Sequence, residues 1–401
     1  MSKHVINPDL CTACTVCVAH CPVAEVVREY RGPKLSGPAS ERLRLLSPQD
    51  DVSLDFCSNC KNCDISCPSG VPISTLNMKA RAKMWEGKPE PQGRKMMAHG
   101  EQMGKLLARF PGAASIVNLG MGLGKSLGMM DMVGISSKAP LPSYASTTFY
   151  KQFKSFKQKS FDKKVVFYPG CTINFNQPEI GMDVVKVLQA NGYEVLVDEE
   201  FVCCGSPLVV GGYLGEANEN ARKNTSLMNK WRAKGYPVIT ACTSCGLMLK
   251  QEYQELFHHE GMDKNAENIY DIMEFLSMLD DEGKLNTNFG EVKDTMLYHA
   301  PCHLRAQGMG LPALDILSMI PGYSVENAAA GCCGMSGSYG MQANKREISL
   351  KIGEKLFGRI RQAGVKTVIS DCGTCRLQIG DGASVQTLHP VQIVARAYAA
   401  K

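Results

Sequence analysis

The sequence predicts an α+β multidomain protein: a small helical N-terminal domain folded around bound metal, then two copies of one α/β unit. Three observations carry that expectation. The chain has 401 residues and 18 Cys, and eight of these fall in two tandem runs before residue 68. The other ten form two sets of five that recur at matching spacing. Each set is interleaved with alternating strand-like and helix-like stretches. At roughly 150 residues per domain the length suits two or three domains. A composition of 44% hydrophobic and 21% charged residues is ordinary for a globular protein. The net charge of +5 is too small to argue for nucleic acid as a partner. The start, MSKHVINPDL, has no apolar signal-peptide core. No apolar run approaches the length of a membrane-spanning helix. Disulfides are thus a poor home for the thiols, which leaves metal.

The first domain, residues 1–84, is read from its cysteines. Cys11, Cys14, Cys17 and Cys21 read C-x2-C-x2-C-x3-C before Pro22, and Cys57, Cys60, Cys63 and Cys67 repeat the run before Pro68. This is the two-cluster ferredoxin pattern, in which the fourth Cys of each run serves the other cluster. Cys11, Cys14, Cys17 and Cys67 are therefore expected to hold one [4Fe–4S] cluster. Cys57, Cys60, Cys63 and Cys21 are expected to hold the second. A zinc knuckle is the alternative, but it usually shows two separated C-x2-C pairs. Gly and Pro breaks between the runs predict a loop entering a short helix. Residues 73–85 then read as helix, with Lys79, Arg81 and Lys83 on its exposed side.

Residues 85–162 form a basic connector rich in Met. From Lys79 to Lys164, 16 Lys and Arg stand against 5 Asp and Glu, a net of +11 that leaves the rest of the chain at −6. Nine of the 21 Met lie between Met78 and Met132. Met96, Met103, Leu106, Leu107 and Phe110 recur at helical spacing, with Arg94, Lys95, Lys105 and Arg109 elsewhere on the turn. Ile116, Leu119, Leu123, Leu127 and Met130 continue the periodicity. Such a stretch can lie in a membrane interface, with its lysines toward anionic lipid. The alternative is a connector packed on the protein's own core or on a partner subunit. Five Gly between Gly120 and Gly134 weaken any isolated helix there by about 1 kcal/mol each. GMGLGKS resembles a phosphate loop, but the position that would need Gly is Leu119 and no strand precedes it. Gly120, Gly124 and Gly128 repeat a small-xxx-small spacing, which Lys125 and Asp131 keep out of lipid.

The α/β units occupy 163–290 and 291–401. In the first, Cys171 precedes Cys203-Cys204-Gly205 by 32 residues, and Cys242 and Cys245 follow 39 residues on. In the second, Cys302, Cys332-Cys333-Gly334, Cys372 and Cys375 keep gaps of 30 and 40. This is duplication of one CCG unit. Strand-like VVFY, EVLVD and VIT alternate with helical stretches at 182–190 and 214–234. TMLYH and TVIS repeat the order, which implies parallel pairing with right-handed crossovers. Cysteines leaving the carboxyl ends of strands fit the place where open α/β sheets bind ligands. Adjacent cysteines suit a multi-iron centre better than a single zinc. A buried thiol pair or a redox-active vicinal disulfide is the alternative. His299, His303 and His389 are candidates for tuning a cluster or moving protons, or for plain structural roles.

Two ferredoxin runs followed by two CCG units resemble the iron–sulfur subunits of respiratory flavin dehydrogenases and the fused catalytic subunit of heterodisulfide reductase. CTACTVCVAHCPVAEV, YRGPKLSGPASERLRL, YHAPCH, CCGMSGSYG and DCGTCRLQI resemble the C-subunit family of anaerobic glycerol-3-phosphate dehydrogenase most closely. The resemblance implies an electron-transfer subunit that receives electrons from a flavoprotein dehydrogenase and passes them to membrane quinone in anaerobic respiration. It also implies a peripheral seat on the cytoplasmic face of the inner membrane. For the CCG units it implies one or two further [4Fe–4S] centres, of non-cubane type with five cysteines each. The alternatives are a thiol–disulfide reductase subunit and the iron–sulfur subunit of a lactate or glycolate dehydrogenase. No flavin or dinucleotide motif occurs, so no residue is expected to be catalytic.

Overall fold

The computed structural model describes residues 6–47, 50–89 and 91–400. Among the described residues the N-terminal part contains helices and turns and no strand. Short helices at Val16–Ala19, Pro22–Val26 and Asn62–Ile65 surround a longer one, α1 (Ile73–Trp85). The bounds of α1 are those the sequence pattern predicts, but its surroundings differ. Ten of its thirteen side chains are buried, because the cysteine loops cover one side and the first α/β unit covers another. Arg81, expected on the exposed side with Lys79 and Lys83, is 5% exposed. Its guanidinium donates to the carbonyls of Cys57 at 2.8 Å and Val210 at 2.6 Å. It thereby ties α1 to both neighbours.

The connector forms helices α2 (Gly100–Leu107), α3 (Ala113–Ser126) and α4 (Phe149–Ser155). α2 lies close on the first α/β unit: a Cβ at Gly104 would stand 2.5 Å from the Phe175 ring. α3 contains the whole GMGLGKS segment as helix, so no phosphate loop forms. It leaves Ile116, Leu119, Leu123 and Leu127 between 55% and 73% exposed. The apolar stripe of this helix therefore faces outward and not into the protein's own core.

Each α/β unit is a four-stranded, all-parallel sheet. In the first, β1 (Lys163–Tyr168), β2 (Tyr193–Val197), β3 (Val238–Thr240) and β4 (Ile269–Asp271) stand in the order β2-β1-β3-β4. In the second, β5 (Asp294–Tyr298), β6 (Tyr323–Asn327), β7 (Thr367–Ile369) and β8 (Gln386–Leu388) repeat it as β6-β5-β7-β8. The fourth strands, β4 and β8, are only three residues long and show no alternation that a sequence reading could use. Connecting helices include α5 (Gly170–Phe175), α6 (Pro178–Ala190), α7 (Leu214–Arg232) and α8 (Ile272–Asp281) in the first unit. The second has α9 (Arg346–Ala363), α10 (Gly373–Ala383) and α11 (Pro390–Ala399). One core spans both units: Val184 and Leu188 of α6, Phe275 and Leu279 of α8, and Val391 and Val394 of α11 belong to the same buried cluster. The duplicated units thus fold as one body, with their strand ends facing inward to the cysteines.

Candidate metal centres

The two ferredoxin runs share a backbone conformation that turns three consecutive cysteines toward one point. Ala13 and Thr15 flank Cys14 at φ 60° and 67°, and Asn59 and Lys61 flank Cys60 at φ 55° and 63°. Left-handed conformations cost a non-Gly residue about 1 kcal/mol or more. Four of them at equivalent positions indicate a loop held by what it surrounds. Each run then closes with an amide–thiol contact. Cys21 Sγ accepts from Ala24 N–H at 3.4 Å, and Cys67 Sγ from Val71 N–H at 3.4 Å.

The thiols are grouped across the runs. Burial pushes the Cys17 thiol up, and the charges of Cys67, Cys11 and Cys14 push it further. Cys21 is pushed up to about 11 by burial, with Cys57 adding to the effect. Cys63 is raised by burial, by Asp64, and then by Cys60, Cys57 and Cys21. Crowded like charges of this kind need a cation to stay deprotonated, and soft thiolate sets select iron–sulfur or zinc.

The CCG sets repeat one geometry. In the first unit the contacts run Cys171, Cys203, Cys204, Cys245, Cys242, with Cys171 Sγ 3.9 Å from Cys203 Sγ. In the second they run Cys302, Cys332, Cys333, Cys375, Cys372, with Cys333 Sγ 3.2 Å from Cys375 Sγ. The residue after each Cys pair must be Gly. Gly205 and Gly334 adopt φ 91° and 87°, and a Cβ at 334 would lie 2.0 Å from the Ser349 carbonyl. That turn lets the glycine N–H reach back to the first thiol, 3.5 Å from Cys203 Sγ and 3.3 Å from Cys332 Sγ. Hydrogen bonds from Cys203 and Cys245 hold the Cys204 thiol down at about 6. In the second unit Cys332 and Cys372 are held well below the usual thiol range by hydrogen bonds from their neighbouring cysteines. No cysteine is in a disulfide. Five converging thiols, some predisposed to the thiolate, fit a multi-iron assembly. The units differ in access: Cys171 and Cys242 are half-buried, whereas all five cysteines of the second unit are buried.

The four groups are contiguous. Cys60 of the second run lies near enough to Cys332 for that thiol to be its strongest charged neighbour, and Cys302 feels Cys60 in turn. Arg376 is buried among Cys372, Cys242 and Cys375, and so stands between the two CCG sets. His303 joins three parts of the chain: its ring nitrogens lie 2.9 Å from Ser244 Oγ and 3.0 Å from the Asn59 carbonyl. His299 is buried beside Cys333 and Cys375, and burial lowers it to about 4, which keeps it neutral. His389 lies apart from the thiols and caps α11 through Nδ1, which accepts from Val391 N–H at 3.1 Å. Arg376, Lys61 and Glu252 escape sequence reading, because nothing local marks a charge whose partners lie far away along the chain.

Comparison with known proteins agrees with this architecture. Residues 8–71 match the 4Fe-4S dicluster domain, and 165–250 and 296–380 each match the cysteine-rich domain. The C-subunit of anaerobic glycerol-3-phosphate dehydrogenase from Escherichia coli (strain K12) is 34% identical over 396 residues, covering 97% of this chain and 98% of that protein. The B-subunit of the fumarate reductase (CoM/CoB) of Methanothermobacter marburgensis is 29% identical, covering 96% of this chain and 70% of that one. The probable glycolate oxidase iron-sulfur subunit of Bacillus subtilis is 24% identical over 92% of this chain and 87% of its own. An end-to-end likeness at this level, over the same succession of dicluster and cysteine-rich domains, places the protein: it is an iron–sulfur protein of the anaerobic glycerol-3-phosphate dehydrogenase C-subunit family.

Proposed function

We propose that this chain is the iron–sulfur subunit that carries electrons from a flavin-dependent glycerol-3-phosphate dehydrogenase to membrane quinone in anaerobic respiration. The full-length likeness to the E. coli protein carries the reading. Cys11, Cys14, Cys17 and Cys67 would hold one cubane cluster, and Cys57, Cys60, Cys63 and Cys21 the other. Cys171, Cys203, Cys204, Cys242 and Cys245 would hold a third centre, and Cys302, Cys332, Cys333, Cys372 and Cys375 a fourth. When bound, such centres exchange single electrons at potentials that the surrounding protein sets. The chain's own contribution is spacing, exclusion of water and charge balance around the thiols. Exposed Cys14 lies at the surface where a flavoprotein can approach. Buried Cys60, Cys332 and Cys302 continue the path inward.

The same reading seats the chain peripherally on the cytoplasmic face of the inner membrane. No helix among the described residues is long and apolar enough to cross a bilayer. The outward apolar stripe of α3 and the basic character of the connector support an interfacial seat. Flotation with anionic liposomes tests it: the intact chain is expected to float and a 94–135 deletion to sediment. Failure of the intact chain to float would reject the seat.

The electron-transfer reading is tested anaerobically with the co-purifying flavoprotein, its substrate and a quinone analogue. The cubane pair accounts for about 8 irons, and the CCG centres raise the count. Disulfide turnover by the chain without a flavoprotein would overturn the relay in favour of a thiol–disulfide reductase. The likeness to the B. subtilis protein favours a second reading, an iron–sulfur subunit for glycolate or lactate oxidation. The substrate of the co-purifying flavoprotein decides between them.

A further inference from the structure

One cavity of about 330 Å³ opens beside the first CCG set and nowhere near the ferredoxin runs. Its floor is the end of β1 and the start of α5, where Tyr168, Gly170 and half-buried Cys171 lie, and its walls come from α2 and α4. The size is that of a small-molecule pocket. α2 is divided between this cavity and the outside. Glu101, Lys105 and Ala108 line the cavity. Met103 and Leu106 point away and are 36% and 50% exposed.

The lining selects a class of ligand. Phe175, Phe201 and Tyr150 offer aromatic walls. Four cations line the cavity: Lys105 lies 3.1 Å from Glu101 and Lys154 lies 2.7 Å from Glu199, whereas Arg109 and Lys151 have no carboxylate partner among the described residues. Two of the four cations are thus balanced by carboxylates at the same rim, and Glu101 and Glu199 would repel a polyanion. Hydrogen-bond donors remain. Asn174, 6% exposed, accepts from Tyr150 N–H at 3.2 Å, and its amide nitrogen has no partner among the described residues. Lys151 Nζ donates to the Ala108 carbonyl at 2.7 Å and keeps its other donors. A flat apolar ring bearing carbonyl acceptors meets these walls and donors. A narrower groove, sharing Ala108, Lys151 and Phe175 with the cavity, continues past Phe110 and Gly112 to the start of α3. There the exposed apolar face of that helix begins.

We propose that this cavity binds the ring of a membrane quinone against the first CCG set, with the isoprenoid tail leaving by the groove toward the apolar face of α3. The inference rests on the quinone-linked function proposed above and assigns its exit site. The oxidised quinone takes up two electrons, supplied by the reduced flavin of the partner dehydrogenase, and two protons from water. Its two carbonyls become the hydroxyls of the quinol. The asymmetry in access fits this direction, since all five cysteines of the second CCG set are buried whereas Cys171 and Cys242 of the first are half-buried.

The test uses the full chain in complex with its flavoprotein, and reads binding of a short-tail naphthoquinone by fluorescence quenching as well as its reduction. Ala108→Trp fills the cavity from the end of α2 and is expected to weaken binding at least tenfold. Lys151→Ala, at an exposed edge, is expected to weaken it about threefold, which is the scale of one hydrogen bond, and serves if the first variant misfolds. Iron and sulfide content equal to the parent establishes that each variant is assembled. Unchanged binding in both assembled variants overturns the site while leaving quinone as the acceptor. Absence of naphthoquinone binding and reduction by the parent complex overturns the acceptor, and the site with it.

Discussion

Lys61, inside the second cysteine run, holds its ammonium 3.0 Å from the carboxylate of Glu252 in the first α/β unit, and the two side chains are 3% and 2% exposed. Glu255 and Asp64 stand 3.5 Å from the same ammonium. Burial works against the charge on Lys61, and the three carboxylates outweigh it, so its pKa rises. This contact clamps the ferredoxin loop onto the α/β body. Lys61→Met leaves three carboxylates facing one another and is expected to cost about 3–5 kcal/mol. Glu252→Gln keeps two of the three anions and a hydrogen bond, and is expected to cost about 1–3 kcal/mol. Anaerobic denaturant titration measures both; equal losses would mean that the charges do not act as a clamp.

Arg376 sets a positive charge between the two CCG sets and is anchored there at 2.7 Å from the Ser370 carbonyl and 2.6 Å from Gln177 Oε1. Reduction adds negative charge to an iron–sulfur centre, so a nearby cation favours it. Arg376→Met is expected to lower the midpoint potentials of both CCG centres by on the order of 50 mV, with partial recovery in Arg376→Lys. Redox titration followed by EPR reads the shift. Unchanged potentials at both centres would remove Arg376 from the electrostatics of the sites.

The crossed grouping of the ferredoxin thiols has a spectroscopic signature. Cys21→Ser is expected to disturb the centre beside Cys57, Cys60 and Cys63, although Cys21 belongs to the other run. Cys67→Ser is expected to disturb the centre beside Cys11, Cys14 and Cys17. Each variant should lose up to about 4 irons. Loss of the centre within the mutated run would instead mean that each run is self-contained.

His389 carries a pH dependence. Burial, and then the charge of Arg376, push it well below its ordinary 6.5, so it is neutral in the fold. Unfolding lets it take up a proton below that value. Its contribution is therefore intact above pH 6.5 and is lost as pH falls toward its folded-state pKa, at up to about 1.4 kcal/mol per pH unit. Asn keeps a helix cap without titrating. His389→Asn is expected to flatten the decline in stability between about pH 6 and 5, measured by denaturation midpoints. An unchanged slope would place the titrating group elsewhere.

Much of the plan is legible in cysteine spacing, because a cluster demands ligands at short fixed steps and duplication repeats those steps. Strands β1, β2 and β5 and helix α1 follow from local pattern, since each has several residues to show it, and the three-residue strands β3 and β7 are marked by the Cys pairs they lead to. Strands β4 and β8 are equally short and lead to no cysteine, so nothing local marks them. Arg81 is misread for a related reason: a helix covered on two sides has no exposed stripe, so a basic residue within it reads as surface. The amphipathic connector is read correctly as helical, but its spacing alone leaves open which way the apolar stripe faces.

The sequence by itself determined that this protein is built on four sets of thiols, two of them in ferredoxin runs and two in a duplicated α/β unit. That knowledge is local, since ligand spacing and strand–helix alternation are written in consecutive residues. Only the tertiary structure decided how the sets meet: Cys60 beside Cys332, Arg376 between the CCG sets, and a cavity reaching Cys171 but no cysteine of the second unit. Packing between distant segments sets burial and charge pairing, and those contacts leave no periodic trace along the chain.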